Sequence, residues 1–256
     1  MKILPNIIPL IKIKNSLKFP DKYKADIEKY RREGNAEKER DFILKASSVW
    51  GKNIIDIFSI DLTVNGRENL PEKGPVVYVS NHQGYGDIPV CCAALDKIQF
   101  GFIAKDNLFK IPVFGKWMLR IRSLSMDRED IRAAMRAIEE GVSYIKQGFS
   151  LLIFPEGTRS RGGRVKEFKK GSLKLATKPG VPIVPITIDG SYRIYEEKGK
   201  VVNNAKVAIT IHPAIPTAGM SKTEQNQLAE RVQHIIESAL PEELHALEEA
   251  PKENNI

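Results

Sequence analysis

Short apolar runs, each closed by glycine, proline or charged residues, recur from Ile60 onward and limit what this chain can fold into. The candidate strands are Asp61–Val64, Val76–Val79, Phe100–Ala104, Ser123–Met126, Leu151–Phe154, Ile183–Ile188 and Val207–Ile211. Several are short and uniformly apolar, which suits strands buried on both faces. Helical patterns lie between them. Ile88–Leu95 is one, and Ser172–Thr177 is another. Ile131, Met135, Ile138, Val142 and Ile145 form an amphipathic stripe at helical spacing. The last helix is expected to start at Ser221, where Glu224 completes a capping box, and it carries Leu228, Val232, Ile235 and Ile236. Strand and helix alternation of this kind predicts an α/β fold, with a mixed, largely parallel sheet flanked by helices.

Residues 1–60 follow a different pattern. The run from Leu4 to Ile13 is apolar, punctuated by Pro5 and Pro9 and rimmed by lysines. A charged helix is expected over Asp21–Arg32, closed by Gly34 and Asn35. A second runs from Ala36 towards Phe58, with Phe42, Ile43, Val49, Trp50, Ile54 and Ile57 at helical spacing. Together they read as an N-terminal helical hairpin. The segment suits a membrane-surface element with its lysines at lipid phosphates, or a hairpin packed on the domain through Trp50 and Ile54. The first reading is preferred. The expected organisation is a helical, membrane-surface-binding segment at 1–60, an α/β domain at 61–241 and an acidic, fraying tail at 242–256.

With 256 residues, 42% of them hydrophobic, the chain can bury one large core, with or without an appendage. Its net charge of +8 points to nucleic acid, anionic lipid or an acidic protein as partner. Nucleic acid is disfavoured. Aromatic residues make up only 7%, and Phe168 is the sole aromatic in the basic run Arg159–Lys174, so no stacking platform is present. No apolar run approaches the roughly 18–20 residues that cross a bilayer, and the start lacks a signal-peptide pattern. The expected location is therefore cytoplasmic, or the cytoplasmic face of the inner or plasma membrane. Cys91 and Cys92 are adjacent and form no disulfide framework, which fits a reducing compartment. No His or Cys spacing suits a metal site, and no dinucleotide loop is present, so no cofactor is expected.

The chemistry concentrates in Asn81-His-Gln-Gly-Tyr-Gly-Asp87, directly after a predicted strand. A neutral imidazole takes a proton near pH 7, and a carboxylate holds its tautomer and stabilises the charged ring. On one continuous helix His82 and Asp87 would lie about 140° apart. They meet only if Gly84 and Gly86 let the chain turn. No serine nucleophile accompanies the pair, so the proton is expected to come from a substrate hydroxyl that attacks an activated acyl group. A thioester donor needs no protein nucleophile. Backbone N–H groups around the glycines are the expected oxyanion donors. A second run, Phe154-Pro-Glu-Gly-Thr-Arg159, places a carboxylate, a glycine and a guanidinium after another strand. Arg159 pairs with phosphate, and Lys105 supplies a second positive charge. Glu156 is expected to orient Arg159 or to accept from a substrate hydroxyl. His82, Lys105, Arg128 and Glu156 all follow predicted strands, where ligands of such sheets bind. The cysteines are read as buried residues rather than nucleophiles. A non-enzymatic binder of anionic membranes or nucleic acid is the rival reading.

Four blocks in order resemble the glycerolipid acyltransferase superfamily and, more narrowly, the bacterial 1-acyl-sn-glycerol-3-phosphate acyltransferases. They are His82 to Asp87; Lys105, Pro112, Gly115 and Asp127-Arg128; Phe154 to Arg159 continued by Phe168-Lys-Lys-Gly171; and Val181-Pro-Ile-Val-Pro185. The similarity spans about residues 60–215. It implies that His82 is the general base and that Asp87 orients it. It implies that Glu156, Gly157, Thr158 and Arg159 bind the acceptor's phosphate with help from Lys105, with Asn81 and Arg128 as secondary site residues. The implied reaction moves a fatty acyl group from acyl carrier protein or coenzyme A to the sn-2 hydroxyl of 1-acylglycerol 3-phosphate (lysophosphatidic acid), giving phosphatidic acid. Glycerol 3-phosphate or a lysophospholipid is the alternative acceptor.

Overall fold

The computed structural model describes residues 6–127 and 130–246. The N-terminal region forms α1 (Ile7–Ser16), α2 (Lys18–Asp21), α3 (Lys24–Arg32) and α4 (Ala36–Ile57). The chain continues through β1 (Asp61–Asn65), β2 (Val77–Ser80), α5 (Asp87–Ala94), β3 (Phe100–Lys105), α6 (Asp106–Phe109), α7 (Phe114–Arg120) and β4 (Leu124–Met126). It ends with α8 (Ile131–Lys146), β5 (Ser150–Ile153), α9 (Lys174–Thr177), β6 (Ile183–Asp189), β7 (Lys206–Ile211) and α10 (Lys222–Glu237). All the strands expected from the sequence are present, each within two residues of its expected bounds.

The strands form one seven-stranded sheet in the order β1-β7-β6-β2-β5-β3-β4. Among the described strands only β6 and β7 pair antiparallel. The carboxyl ends of β6, β2, β5, β3 and β4 therefore share one edge. Alternate strand residues feed two cores. Tyr78, Phe102 and Leu152 face α4 and α5, whereas Val77, Val79, Leu151 and Ile153 face α8, α9 and α10. Burial on both faces is why these strands read as continuous apolar runs. Ser221 and Glu224 form the capping box that the sequence predicts, and Asn35, expected to close the preceding helix, also caps α4 by accepting from Lys38 N.

The N-terminal region departs from the expected hairpin in three ways. First, the Pro-punctuated run is helical from Ile7. Pro9 stands in the first turn of α1, where its missing N–H leaves no gap in the ladder. Second, the charged helix starts at Lys24 rather than Asp21, after a separate short helix and a break at Lys22 and Tyr23, where the Tyr23 ring meets Phe42 edge-on. Third, residue 60 is not a core boundary. Ile43, Trp50 and Ile54 on α4 join the same apolar cluster as Tyr78, Phe102 and Ile209. Trp50 Nε1 donates to Ser16 Oγ at 3.0 Å, which ties α1 to α4. The tail also differs. Val165 N donates to Leu244 O at 2.8 Å, and Ala246 N donates to Glu237 Oε1 at 3.0 Å, so residues 242–246 dock onto the domain. The remainder of the tail, 247–256, lies outside the described residues.

α4 lies against α5 at Gly51, where a Cβ would come within 2.5 Å of Ala93 N and 2.7 Å of Cys92 C. Both are backbone atoms and cannot rotate away. Gly51→Ala gains about 1 kcal/mol of helix propensity but forces two buried helices apart. A net loss of about 1–3 kcal/mol is expected, read as a lower urea midpoint with an unchanged slope. A midpoint at or above that of the wild type would show that the contact yields.

Candidate active site

His82 leaves the carboxyl end of β2, and its ring is fixed from two directions. Nδ1 is 2.6 Å from Asp87 Oδ2, and the ring stacks on Phe154 at a centroid distance of 4.1 Å and 15°. A carboxylate at Nδ1 places the ring proton there, which leaves the Nε2 lone pair as the base. Nε2 has no partner among the described residues, and the side chain is 14% exposed. Asp87 has no exposure. Its Oδ2 also accepts from Gln83 N at 2.8 Å and Gly84 N at 3.0 Å, and its Oδ1 accepts from Ser191 Oγ. The loop 82–86 thus curls around one buried carboxylate.

The role expected of the glycines changes here. Neither Gly84 nor Gly86 has a left-handed φ. They are needed for room. A Cβ on Gly84 would stand 2.3 Å from Glu196 Oε2, and one on Gly86 would stand 2.5 Å from Ile194 Cδ1. The oxyanion expectation also needs correction. The N–H groups of Gln83 and Gly84 serve Asp87, that of Tyr85 serves Glu196, and that of Asp87 serves Gly84 O. These four peptide donors are already taken, which narrows the expected set around the two glycines to Gly86 N–H.

The Phe154–Arg159 run follows β5, the neighbour of β2. Glu156 does not reach Arg159 as expected. It is 4% exposed, and its oxygens accept from His82 N at 2.6 Å and Lys166 N at 3.0 Å. A buried carboxylate with both oxygens engaged joins the two loops and does not bind phosphate. Burial pushes its carboxyl up to about 7, although the two backbone N–H groups pull against this. The loops are joined twice more, because Ser160 N donates to His82 O at 2.7 Å and Arg161 N donates to Gln83 O at 3.1 Å.

Arg159 pairs instead with Glu196, Nη1 to Oε1 at 2.7 Å, and its guanidinium lies 3.7 Å from the Tyr85 ring centroid. Gly157 takes φ +71° beside the Lys169 side chain, and Thr158 is exposed. Lys105 is exposed at the end of β3, which neighbours β5. Asn81 is a correction. It is buried, and its amide bonds both Ile188 O and Ile188 N at 2.8 Å, so it laces β2 to β6. Arg128 lies outside the described residues. Cys91 and Cys92 are fully buried, and burial raises both thiols, so neither offers a thiolate.

Ser191, Glu196 and Tyr85 escaped the sequence reading. Ser191 and Glu196 follow β6, which lies beside β2. The strand-end rule, applied to Ile183–Ile188, would have found them. On the α8 side of the site, an apolar groove of about 280 Å³ is walled by Ile103, Met126, Met135, Ile153 and Phe154, with Lys169 and Lys174 at its rim. Phe154 belongs both to this wall and to the His82 stack.

Glu156→Gln sets an amide NH₂ against one of two backbone N–H donors, and a loss of about 1–3 kcal/mol is expected. The pH dependence has a defined sign. The folded carboxyl titrates above its ordinary 4.5. Between about 4.5 and 7 the folded state therefore holds a proton that the unfolded state has released, and stability falls as pH rises through that window. Urea midpoints from pH 5 to pH 8 should show a shallower decline in Glu156→Gln than in the wild type. Parallel curves would remove Glu156 as the source.

The sequence model of the acyltransferase family matches residues 61–189, which include His82, Asp87 and Arg159. A 1-acyl-sn-glycerol-3-phosphate acyltransferase of Chlamydomonas reinhardtii is 36% identical over 198 residues, covering 75% of this chain and 57% of that protein. This chain spans 44% of the length of a chloroplastic relative from Brassica napus and 43% of one from Arabidopsis thaliana. A bacterial protein of the same name, from Borreliella burgdorferi, is 32% identical and is matched over 70% of its length and 69% of this chain. The crystal structure of the 1-acyl-sn-glycerophosphate (LPA) acyltransferase PlsC from Thermotoga maritima superposes with a TM-score of 0.69 at 33% identity, covering 79% of this chain and 80% of that one. On the family match and the bacterial relative together, this chain belongs to the acyltransferase family.

Proposed function

We propose that the protein transfers a fatty acyl group from an acyl thioester to the sn-2 hydroxyl of 1-acylglycerol 3-phosphate, forming phosphatidic acid. The observation that carries this reading is the His82–Asp87 pair at 2.6 Å, with its Nε2 edge open beside the Arg159 loop. Nε2 takes the hydroxyl proton as the oxygen attacks the thioester carbonyl carbon. The tetrahedral intermediate then collapses, the carbon–sulfur bond breaks, and the proton on His82 passes to the leaving thiolate. Asp87 stabilises the imidazolium between these steps. Arg159 holds the acceptor's phosphate, with Lys105 adding charge. The acceptor is the one stated in the names of the relatives.

The donor is read as a thioester of acyl carrier protein or coenzyme A. The apolar groove beside Phe154 suits its acyl chain, and the exposed Lys166, Lys169, Lys170 and Lys174 suit the anionic carrier. No resident cofactor enters this reaction. Membrane attachment is read as monotopic, at the cytoplasmic face. Ile8, Leu10 and Ile11 are 57%, 60% and 52% exposed on α1, beside Lys12 and Lys14. Among the described residues no helix is long and apolar enough to cross a membrane. An acceptor carrying one acyl chain resides in a bilayer, and α1 brings the site to it.

The test is phosphatidic acid formation in anionic vesicles with each thioester. His82→Ala should lower kcat by about 10²–10⁴-fold in a protein that still folds, with a lower melt because Asp87 loses one of its donors. Arg159→Ala should raise the acceptor KM much more than the donor KM. Equal rates in the wild type and His82→Ala would remove His82 as the base, and equal use of glycerol 3-phosphate would reassign the acceptor. Separately, the pair Ile8→Glu with Ile11→Glu should weaken co-sedimentation with vesicles at least several-fold. Unchanged binding would exclude α1 as the membrane element.

A further inference from the structure

The Arg159 guanidinium is clamped from two sides by residues that neither proton transfer nor phosphate binding has so far used. Glu196 Oε1 accepts from Nη1 at 2.7 Å, and the same oxygen accepts from Tyr85 N at 2.9 Å. The Tyr85 ring is the surface on which the guanidinium lies, at 3.7 Å. One carboxylate oxygen therefore fixes both the cation and the peptide that carries its stacking partner. The Glu196 side chain is 3% exposed, and its second oxygen is buried without a hydrogen-bond partner among the described residues. An unpaired buried carboxylate oxygen is unfavourable. Its position is fixed by Gly84, which leaves it room, and by the strap that carries Glu196. Glu197 N donates to Tyr192 O at 3.0 Å, and Val202 N donates to Ile194 O at 2.9 Å. Asn6, at the head of α1, bonds Gly199 O and Val201 N at 3.1 Å each.

We infer that Glu196 is a positioning residue for the acceptor's phosphate: it holds the Arg159 guanidinium in place on Tyr85 before substrate arrives. The inference rests on the proposed function, in which Arg159 binds that phosphate. A guanidinium carries five N–H donors in one rigid plane. Glu196 engages Nη1, and the other nitrogens remain to meet phosphate oxygens. A free arginine side chain loses much rotamer freedom when it binds a ligand, and a clamp made within the folded protein removes that loss from the binding step. The rival role for the same contact is competition, in which the Glu196 charge holds Arg159 away from phosphate.

Two variants separate these roles, with kcat and both KM values measured on vesicles. Glu196→Ala should raise the acceptor KM roughly tenfold, leaving kcat and the donor KM within about twofold. Glu196→Gln keeps an oxygen that accepts from both Nη1 and Tyr85 N, so its acceptor KM should return close to that of the wild type. A fall in acceptor KM in either variant would make Glu196 a competitor of phosphate and overturn the inference. So would a Gln variant as impaired as the Ala variant, or equal rises in both KM values in a protein with a wild-type melt. Absence of acyl transfer by the wild type would instead strike the proposed function, and this inference with it.

Discussion

The buried carboxylate of Asp87 is the constraint around which the site is arranged. A charge with no exposure is tolerated only when donors surround it. Here the donors are His82 Nδ1, Gln83 N, Gly84 N and Ser191 Oγ. Three belong to the loop that precedes Asp87, and satisfying them makes that loop curl back on itself. The curl brings the imidazole over Phe154 and leaves Nε2 outward. One solvation requirement thus sets the tautomer, the ring orientation and the loop shape together. It also commits the Gln83 and Gly84 peptides to Asp87, so neither N–H is left to meet a ligand.

The position of β2 in the sheet makes this loop rigid. β2 lies between β6 and β5, so segments that follow both neighbours reach it. From the β6 side, Asn81 bonds the Ile188 peptide, and Gly190 N donates to Gln83 Oε1 at 2.8 Å. From the β5 side, Glu156 accepts from His82 N, while Ser160 N and Arg161 N donate to the carbonyls of His82 and Gln83. Glu156 therefore anchors the His82 peptide, and Asn81 anchors the chain just before it to β6. A chemical group held by packed neighbours and peptide hydrogen bonds needs little rearrangement when substrate arrives.

Much of the fold was legible in the sequence because its causes are local. A strand buried on both faces is apolar at most positions, so Val77–Ser80 and Ile183–Asp189 mark themselves. A capping box is fixed by spacing alone, as at Ser221 and Glu224. The His82–Asp87 pair was legible for the same reason, since both partners lie within one loop. What was missed depends on distant neighbours. The Leu4–Ile13 run was read only as apolar and Pro-punctuated, with no helix bounds of its own, although Pro9 falls in the first turn of α1, where helices accept proline. The early tail residues looked like a fraying acidic end, yet Leu244 O receives Val165 N across the domain.

Arg159 and Gly84 show most clearly where local reading stops. From sequence, the nearest carboxylate to Arg159 is Glu156, in the same short run, and pairing them is the natural local expectation. The partner is Glu196, because the order β6-β2-β5 brings two strand-end loops to opposite sides of the His82 loop, and no local pattern encodes that order. Gly84 was assigned to the right turn for the wrong reason. Its backbone has no left-handed φ, and any residue could adopt the turn by itself. What excludes a side chain is the Glu196 carboxylate in the space that a Cβ would fill. The glycine is thus legible as a residue while its cause lies on the far side of the sheet's strand order, in the strap after β6 that also clamps the guanidinium.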